Sequence, residues 1–161
     1  MRLMIALMIT ALPAQAEMIV ALLAPWDGVT VPAGQHCRLQ DGSGDTPPMQ
    51  VTGVPEAAVA LRLWFNDLSY PSLAFDGGHG VVEIATAPGD VAIAALPGET
   101  DALPDGVRMF SAPRARGEYA SVGYLPPCSG GREHVYAVTV TAHGADGVEL
   151  ARVKNVKLGS Y

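Results

Sequence analysis

The chain has 161 residues, of which 49% are hydrophobic and 16% are charged. This composition is too apolar for a disordered protein, and the length suits one domain with a sizeable core. The formal net charge of −6 argues against a general nucleic-acid-binding protein, because such a protein needs a basic surface.

Residues 1–16 have the features of a cleavable signal peptide. Arg2 supplies a positive charge, a short apolar run follows, and Ala14-Gln15-Ala16 is a small-x-small cleavage site. The run is too short to cross a bilayer, which takes about 20 residues. We therefore predict cleavage after Ala16 and a periplasmic or secreted protein with no stable membrane span. The alternative is that residues 18–25 lengthen the run and the uncleaved segment acts as an anchor.

The mature chain, residues 17–161, is predicted to be a single, mainly β domain. Short apolar or alternating segments separated by turn residues predict strands or extended segments at 17–26, 46–51, 58–65, 80–85, 91–96, 133–142 and 148–158. Residues 88–116 contain four prolines and many glycines, so loop is expected there apart from the short strand. No segment shows a helical period with caps. The pattern favours a β-sandwich or a partly closed barrel with long loops and little helix.

The two cysteines, Cys37 and Cys128, are a plausible disulfide in an exported protein. The loop they would close is long, and chain entropy then contributes about 4–5 kcal/mol. Two free thiols are the alternative.

Residues 123–142 form the stretch with the clearest functional character. A loop stiffened by Pro126 and Pro127 runs into a predicted strand, and it carries Cys128 and His134 to the start of that strand. A rigid loop that presents such side chains at the end of a strand is a common way to build a binding site.

This stretch resembles the signature of the phosphatidylethanolamine-binding proteins, including their bacterial Raf-kinase-inhibitor-like branch. The family has Gly-Tyr-x-Gly-Pro-Cys-Pro-Pro-x-Gly followed by His-Arg-Tyr. The matching positions here are Gly123-Tyr124, Pro127-Cys128, Gly131, His134 and Tyr136. Further matches follow the family's order at residues 31–42, 45–55, 61–65, 79–82, 103–106 and 157–161.

The resemblance implies a β-sandwich with a small pocket at one end that binds anions such as phosphate or a phospholipid head group. Carried over by motif, the pocket positions are His79, Pro127, His134 and Tyr136. Both cysteines lie in motifs that border this pocket, which also favours the disulfide.

The chain departs from the family at several pocket positions. The family's Asp-Pro-Asp-x-Pro is replaced by Asn66-Asp67-Leu68-Ser69-Tyr70-Pro71, which keeps at most one carboxylate. The Trp after the first histidine is Gly80, the Arg after the second is Val135, and the Pro-Pro after the cysteine is Ser129-Gly130. These changes point to a lost or altered ligand.

The predicted site follows from these positions. His79 and His134 are expected to donate hydrogen bonds to an anion, more strongly as pH falls, because imidazole ordinarily titrates near about pH 6.5. Asp67 or Asn66 would orient the imidazoles, and residues 127–131 would shape the rim. The alternative is that both histidines are core or rim residues without a ligand. His36 and His143 are predicted to be surface loop residues, and Tyr124 and Tyr136 to pack.

The predicted function is therefore a non-enzymatic binding protein for a small anionic or phosphate-bearing ligand, with no cofactor. One alternative is an interaction or inhibitor module that grips a protein partner such as a protease. Another is a hydrolase that uses Ser129 with His134 and Asp67, although no nucleophile-elbow motif is present. A zinc site is the remaining alternative, built from Cys37, His79, Cys128 and His134.

Overall fold

The computed structural model describes residues 17–161. The predicted signal peptide, residues 1–16, lies outside the described residues. Helix within 17–161 is restricted to three short 3-10 turns, at Arg38–Gln40, Pro71–Leu73 and Gly117–Tyr119. In this described part, no helix has the length and hydropathy needed to span a membrane.

Strands dominate residues 17–161. In chain order they are β1 (Ile19–Leu22), β2 (Met49–Val54), β3 (Ala58–Asp67), β4 (Val81–Ala85), β5 (Gly89–Ile93), β6 (Val107–Ser111), β7 (Val135–Gly144) and β8 (Glu149–Ser160). A small sheet has the order β1-β2-β5, and a large sheet has the order β6-β4-β3-β7-β8. All neighbouring strands are antiparallel.

The hydrophobic core joins the two sheets. Leu61, Leu63 and Phe65 alternate along β3, and all three side chains are buried. They cluster with buried residues of the small sheet such as Met49 and Val51. Burying one side chain of this size is worth about 1.5–3 kcal/mol, so this alternation sets which face of β3 turns inward.

The pairing of β3 with β7 positions the functional end of the molecule. Trp64 lies opposite Thr139, and Asp67 at the end of β3 lies opposite Tyr136 near the start of β7. His134 immediately precedes β7. The antiparallel register therefore brings residues that are almost 70 positions apart to one end of the large sheet.

The predicted β-sandwich with long loops and little helix is confirmed. The strands predicted at 58–65, 80–85 and 133–142 match β3, β4 and β7 closely, and residues 148–158 form the single strand β8. The strand predicted at 17–26 is only Ile19–Leu22. The short strand predicted at 91–96 begins and ends earlier. Most of the rest of 88–116 is loop as predicted, but the strand β6, which pairs there with β4, was not predicted.

The prediction that His143 is a surface loop residue was also wrong. β7 continues to Gly144, and His143 is only 4% exposed. His36 does lie in a loop, where its ring stacks on the ring of Tyr161 with centroids 4.8 Å apart.

Candidate functional site

A cleft of about 710 Å³ opens at the end of the large sheet where β3 ends and β7 begins. This volume lies within the range of sites that bind small organic molecules. The side chains that line it are Asp67, Tyr70, Ser72, Leu73, Phe75, His79, Arg114, Ala115, Arg116, Tyr119, Leu125, Cys128, Ser129, Arg132, His134 and Tyr136. Four of the six residues predicted to bind a ligand are among them: Asp67, His79, His134 and Tyr136.

Asp67 and His134 form a hydrogen-bonded pair in the wall of the cleft. The Nδ1 of His134 lies 2.7 Å from Oδ2 of Asp67, and the other carboxylate oxygen accepts from the backbone N–H of Ser69 at 2.9 Å. The side chain of Asp67 is 5% exposed and that of His134 is 21% exposed. Since an ionised carboxylate only accepts hydrogen bonds, Nδ1 of His134 carries a proton and Nε2 is left for a ligand.

His79 is held more deeply, and its ring nitrogens have different environments. Its Nδ1 lies 2.8 Å from the carbonyl oxygen of Leu125, so this nitrogen is the donor. Burial lowers the pKa of His79, which keeps the imidazole neutral. Its Nε2 therefore has a free lone pair. Within residues 17–161, no buried side-chain nitrogen or oxygen lacks a hydrogen-bond partner. Because Nε2 has no hydrogen-bond partner in this part of the chain, it is not one of these buried atoms and is accessible from the cleft that His79 lines.

Tyr136 and Ser129 are turned toward the backbone of the surrounding loops. The hydroxyl of Tyr136 accepts from the N–H of Cys128 at 3.1 Å, and its ring meets the ring of His79 edge-on with centroids 5.4 Å apart. Burial raises the pKa of Tyr136 to about 12, so the phenol stays neutral. Ser129 donates from its hydroxyl to the carbonyl of Tyr161. That bond leaves Ser129 without the histidine partner that a nucleophilic serine needs.

Asn66 and Pro127, the other two predicted ligand-binding residues, do not line the cleft, and Asn66 lines a separate small cavity beside Trp64 and Thr139. The side-chain oxygen of Asn66 accepts from the backbone N–H groups of Gly77 and Gly78 at 3.0 and 3.1 Å. Asn66 thus fixes the loop that leads to His79 and does not hydrogen-bond to its ring. The carbonyl of Pro127 accepts from the N–H of Cys37 at 3.0 Å.

Cys37 and Cys128 form a disulfide, which confirms the predicted pairing. Their Cα atoms lie 5.3 Å apart, and the bond closes a loop between positions 91 residues apart. A loop of this length corresponds to about 4–5 kcal/mol of chain-entropy stabilisation. The bond also fixes the loop that contributes Leu125, Cys128 and Ser129 to the cleft. Because neither sulfur is then a thiolate, the zinc alternative does not fit.

The sequence analysis did not identify three arginines that line the cleft, which are Arg114, Arg116 and Arg132. Arg114 donates to the carbonyls of Ser72, Phe75 and Asp76, and its guanidinium lies 4.9 Å from the ring centroid of Phe75. Arg116 and Arg132 also line the cleft, and neither forms an ion pair within residues 17–161. Arg132 lies two positions before the predicted ligand-binding residue His134, and this proximity could have identified it as a site residue. The other two arginines lie in the Pro/Gly-rich stretch, where local pattern gives no indication of a site.

Comparison with known proteins supports the fold. No protein-family model matches the chain, and no curated protein matches it. Among solved structures, it is similar to a crystal structure of a phosphatidylethanolamine-binding protein homolog from Chlamydia trachomatis D/UW-3/CX. The sequences are 23% identical, the match covers 90% of this chain and 97% of the other, and the TM-score is 0.52. The chain therefore has a β-sandwich fold of the phosphatidylethanolamine-binding-protein type.

Proposed function

We propose that this chain is an exported, non-enzymatic binding protein whose cleft takes a small anionic ligand such as phosphate or a phosphate ester. The observation that carries the proposal is the charge of the cleft. Within residues 17–161, three arginines line it, against one carboxylate. That one carboxylate, Asp67, is already paired with His134. An acidic protein with a basic cleft concentrates anions at the cleft.

The hydrogen-bonding chemistry of the wall agrees with this charge. A guanidinium presents a planar fork of N–H groups that suits phosphate and carboxylate oxygens. The side chains of Arg116 and Arg132 are free of carboxylate partners in the described part of the chain, so their donors remain for a ligand. The ring of His134 adds a hydrogen-bonding group at Nε2, because its Nδ1 is committed to Asp67.

Export is supported by the signal-peptide pattern and is compatible with the disulfide, because disulfides persist in oxidising compartments. The similar protein from Chlamydia trachomatis is described as a homolog of phosphatidylethanolamine-binding proteins. The phosphate of a phospholipid head group is accordingly one of the ligands that we propose for this cleft.

A protein partner is the second candidate, because exposed aromatic side chains border the cleft. Tyr70 is 51% exposed and Phe75 is 58% exposed. Exposed aromatic rings beside a cleft are common in protein interfaces. A partner complex that survives replacement of both His79 and His134 by alanine would not depend on the anion site.

Thermal unfolding in the presence of phosphate and phosphoethanolamine, at pH 5.5 and pH 7.5, tests the proposal. A ligand at about 100 times its Kd adds about 2.7 kcal/mol to the free energy of unfolding, which raises Tm measurably. We expect a shift at both pH values. The shift should be lost in the double variant Arg116→Ala, Arg132→Ala. It should persist in Lys154→Ala, which removes a positive charge from an exposed position on β8 outside the cleft.

The absence of any shift, for either ligand at either pH, would overturn the proposed function. A shift of equal size in the wild type and in the double arginine variant would show that the anion binds elsewhere. Both arginines are exposed, so their replacement is not expected to disturb folding.

A further inference from the structure

His79 presents a hydrogen-bond acceptor, its Nε2, to a cleft that three arginines also line. When only Nδ1 of His134 carries a proton, the Nε2 of His134 is a second acceptor there. The Nδ1 of His79 is committed to the carbonyl of Leu125, and its Nε2 opens to the cleft without a hydrogen-bond partner among residues 17–161. The guanidinium groups of Arg116 and Arg132 can only donate. The ligand atom that meets Nε2 must therefore bring its own hydrogen.

The surroundings of His79 fix its ring in this orientation. Its backbone N–H donates to the carbonyl of Phe65 at 2.9 Å, and its carbonyl accepts from the N–H of Leu125 at 3.0 Å. The ring is also packed edge-on against Tyr136. Rotation of the ring by half a turn would break the bond to Leu125 and leave a buried carbonyl without a donor. The nearby carboxylate of Asp67 is occupied by His134 and Ser69.

Oxyanions differ in whether they can satisfy such an acceptor. Sulfate and hydrogen phosphate are tetrahedral dianions of similar size, but only hydrogen phosphate carries an O–H at neutral pH. An unprotonated sulfate oxygen placed against the lone pair of Nε2 would be repelled, and the nitrogen would lose its contact with water. Sites with a buried polar group that the wrong ligand leaves unpaired discriminate strongly against that ligand.

We propose that His79 is a specificity-determining residue of the cleft, which selects oxyanions that carry a proton over oxyanions that do not. The preferred class comprises hydrogen phosphate, dihydrogen phosphate and singly protonated phosphate monoesters, and sulfate belongs to the rejected class. This inference rests on the proposed anion-binding function and adds to it the kind of anion.

Isothermal titration calorimetry at pH 7.0 and constant ionic strength, with sodium phosphate and sodium sulfate as titrants, tests the inference. We expect phosphate to bind at least roughly tenfold more tightly than sulfate, as loss of one hydrogen bond in a buried site predicts. In His79→Asn, the amide can still donate to Leu125 but offers no acceptor at the Nε2 position. The preference should then be smaller than in the wild type, and what remains is the contribution of Nε2 of His134. His143→Asn, at a buried histidine that does not line the cleft, should keep the preference.

A comparison of different anions with the wild-type protein still tests the inference if His79→Asn fails to fold. Monofluorophosphate has the shape and charge of hydrogen phosphate but no O–H at neutral pH, so the wild-type protein should bind it as weakly as sulfate. Equal affinity for phosphate, sulfate and monofluorophosphate would overturn the inference and leave the anion-binding function standing. A preference for phosphate that is as large in His79→Asn as in the wild type would overturn the role of His79. Failure of all three anions to bind would overturn the proposed function itself.

Discussion

Two regions of the molecule collect arginine, histidine and aromatic side chains: the outer face of the large sheet and the cleft at its end. On the outer face, Arg62 donates to Glu83 at 2.7 Å and Arg108 donates to the same carboxylate at 2.8 Å. The guanidinium of Arg62 also lies 3.7 Å from the ring centroid of Phe110. In the cleft, by contrast, Arg116 and Arg132 have no carboxylate partner within residues 17–161.

The two most buried histidines show the same difference. On the outer face, Nδ1 of His143 donates to the carbonyl of Gly147 at 3.1 Å, and its Nε2 accepts from the hydroxyl of Thr141 at 2.8 Å. Thr141 in turn accepts from the indole N–H of Trp64 at 2.9 Å. In the described part of the chain, only one ring nitrogen of His79 is hydrogen-bonded, and the other opens to the cleft.

This difference separates polar groups that stabilise the fold from polar groups that are available to bind. Buried polar atoms are almost always hydrogen-bonded, and a network that pairs all of its members contributes to stability and specificity. A polar group left open in a cleft contributes little to folding, so a ligand is the more economical explanation for its presence there. Residue type alone does not make this distinction, because both regions use the same residues.

Replacement of Glu83 by glutamine should produce the largest loss of stability among these tests. Burial opposes the ionisation of Glu83, but hydrogen bonds from Arg62 and Arg108 outweigh it and hold its pKa below the usual value of 4.5. Glu83→Gln removes the charge that both arginines share. We expect the free energy of unfolding in urea at pH 7 to fall by about 1–2 kcal/mol.

The matched control is Glu149→Gln, which removes the carboxylate from the exposed pair between Glu149 and Arg152. Exposed pairs contribute little, so its effect should stay below about 0.5 kcal/mol. The stabilisation by Glu83 is present above its usual pKa and is lost as pH falls through the lowered value in the folded protein. Equal losses for the two variants would contradict the view that the outer face is a closed, stabilising network.

How much of the fold could be predicted depended on how much of each strand faces the core. β3 and β7 have alternating or continuous buried residues, and their apolar pattern was sufficient to predict them as strands. β6 has no buried residue and lies among prolines and glycines, so its sequence carries no such pattern. It is held by its pairing with β4, which is a tertiary effect.

The candidate site likewise has residues that the sequence could predict and residues that it could not. Asp67, His79 and His134 could be placed near one another because the sequence resembles a known family at or beside those positions. The arginines could not, because Arg114 contacts a loop that lies about 40 residues earlier in the chain. Likewise, only the bond to Leu125 reveals that His79 presents an acceptor, and this reverses the role expected from its sequence context.

The buried position of His79 also predicts how stability depends on pH. Burial lowers its pKa in the folded protein relative to the ordinary value of 6.5. Between these two values the unfolded chain binds a proton that the folded protein does not, so stability falls as pH drops below about 6.5. In His79→Asn this contribution is absent. Urea unfolding from pH 8 to pH 5.5 should therefore show a shallower decline for the variant than for the wild type.

Measurement at pH 8 supplies the control, because the histidine is neutral in both states there and the difference between the proteins reflects only packing and hydrogen bonding. Parallel curves for the two proteins down to pH 5.5 would show that His79 titrates alike in the folded and unfolded states. That result would contradict the burial that we describe for its ring.

Salt concentration should weaken the electrostatic interactions of the cleft arginines more than those of the outer-face arginines, and this is the smallest of the expected effects. The Debye length falls from about 10 Å at 0.1 M to about 3 Å at 1 M, and exposed charges are screened far more than partly buried pairs. We expect phosphate affinity, measured by calorimetry, to fall roughly fivefold between 0.1 and 1 M NaCl, since Arg116 and Arg132 are exposed. The stability cost of Glu83→Gln should change little over the same range, because the side chains of Arg62 and Glu83 are only 16% and 14% exposed. If the double variant Arg116→Ala, Arg132→Ala retained the full salt dependence of phosphate binding, these two arginines would not be the groups that attract the anion.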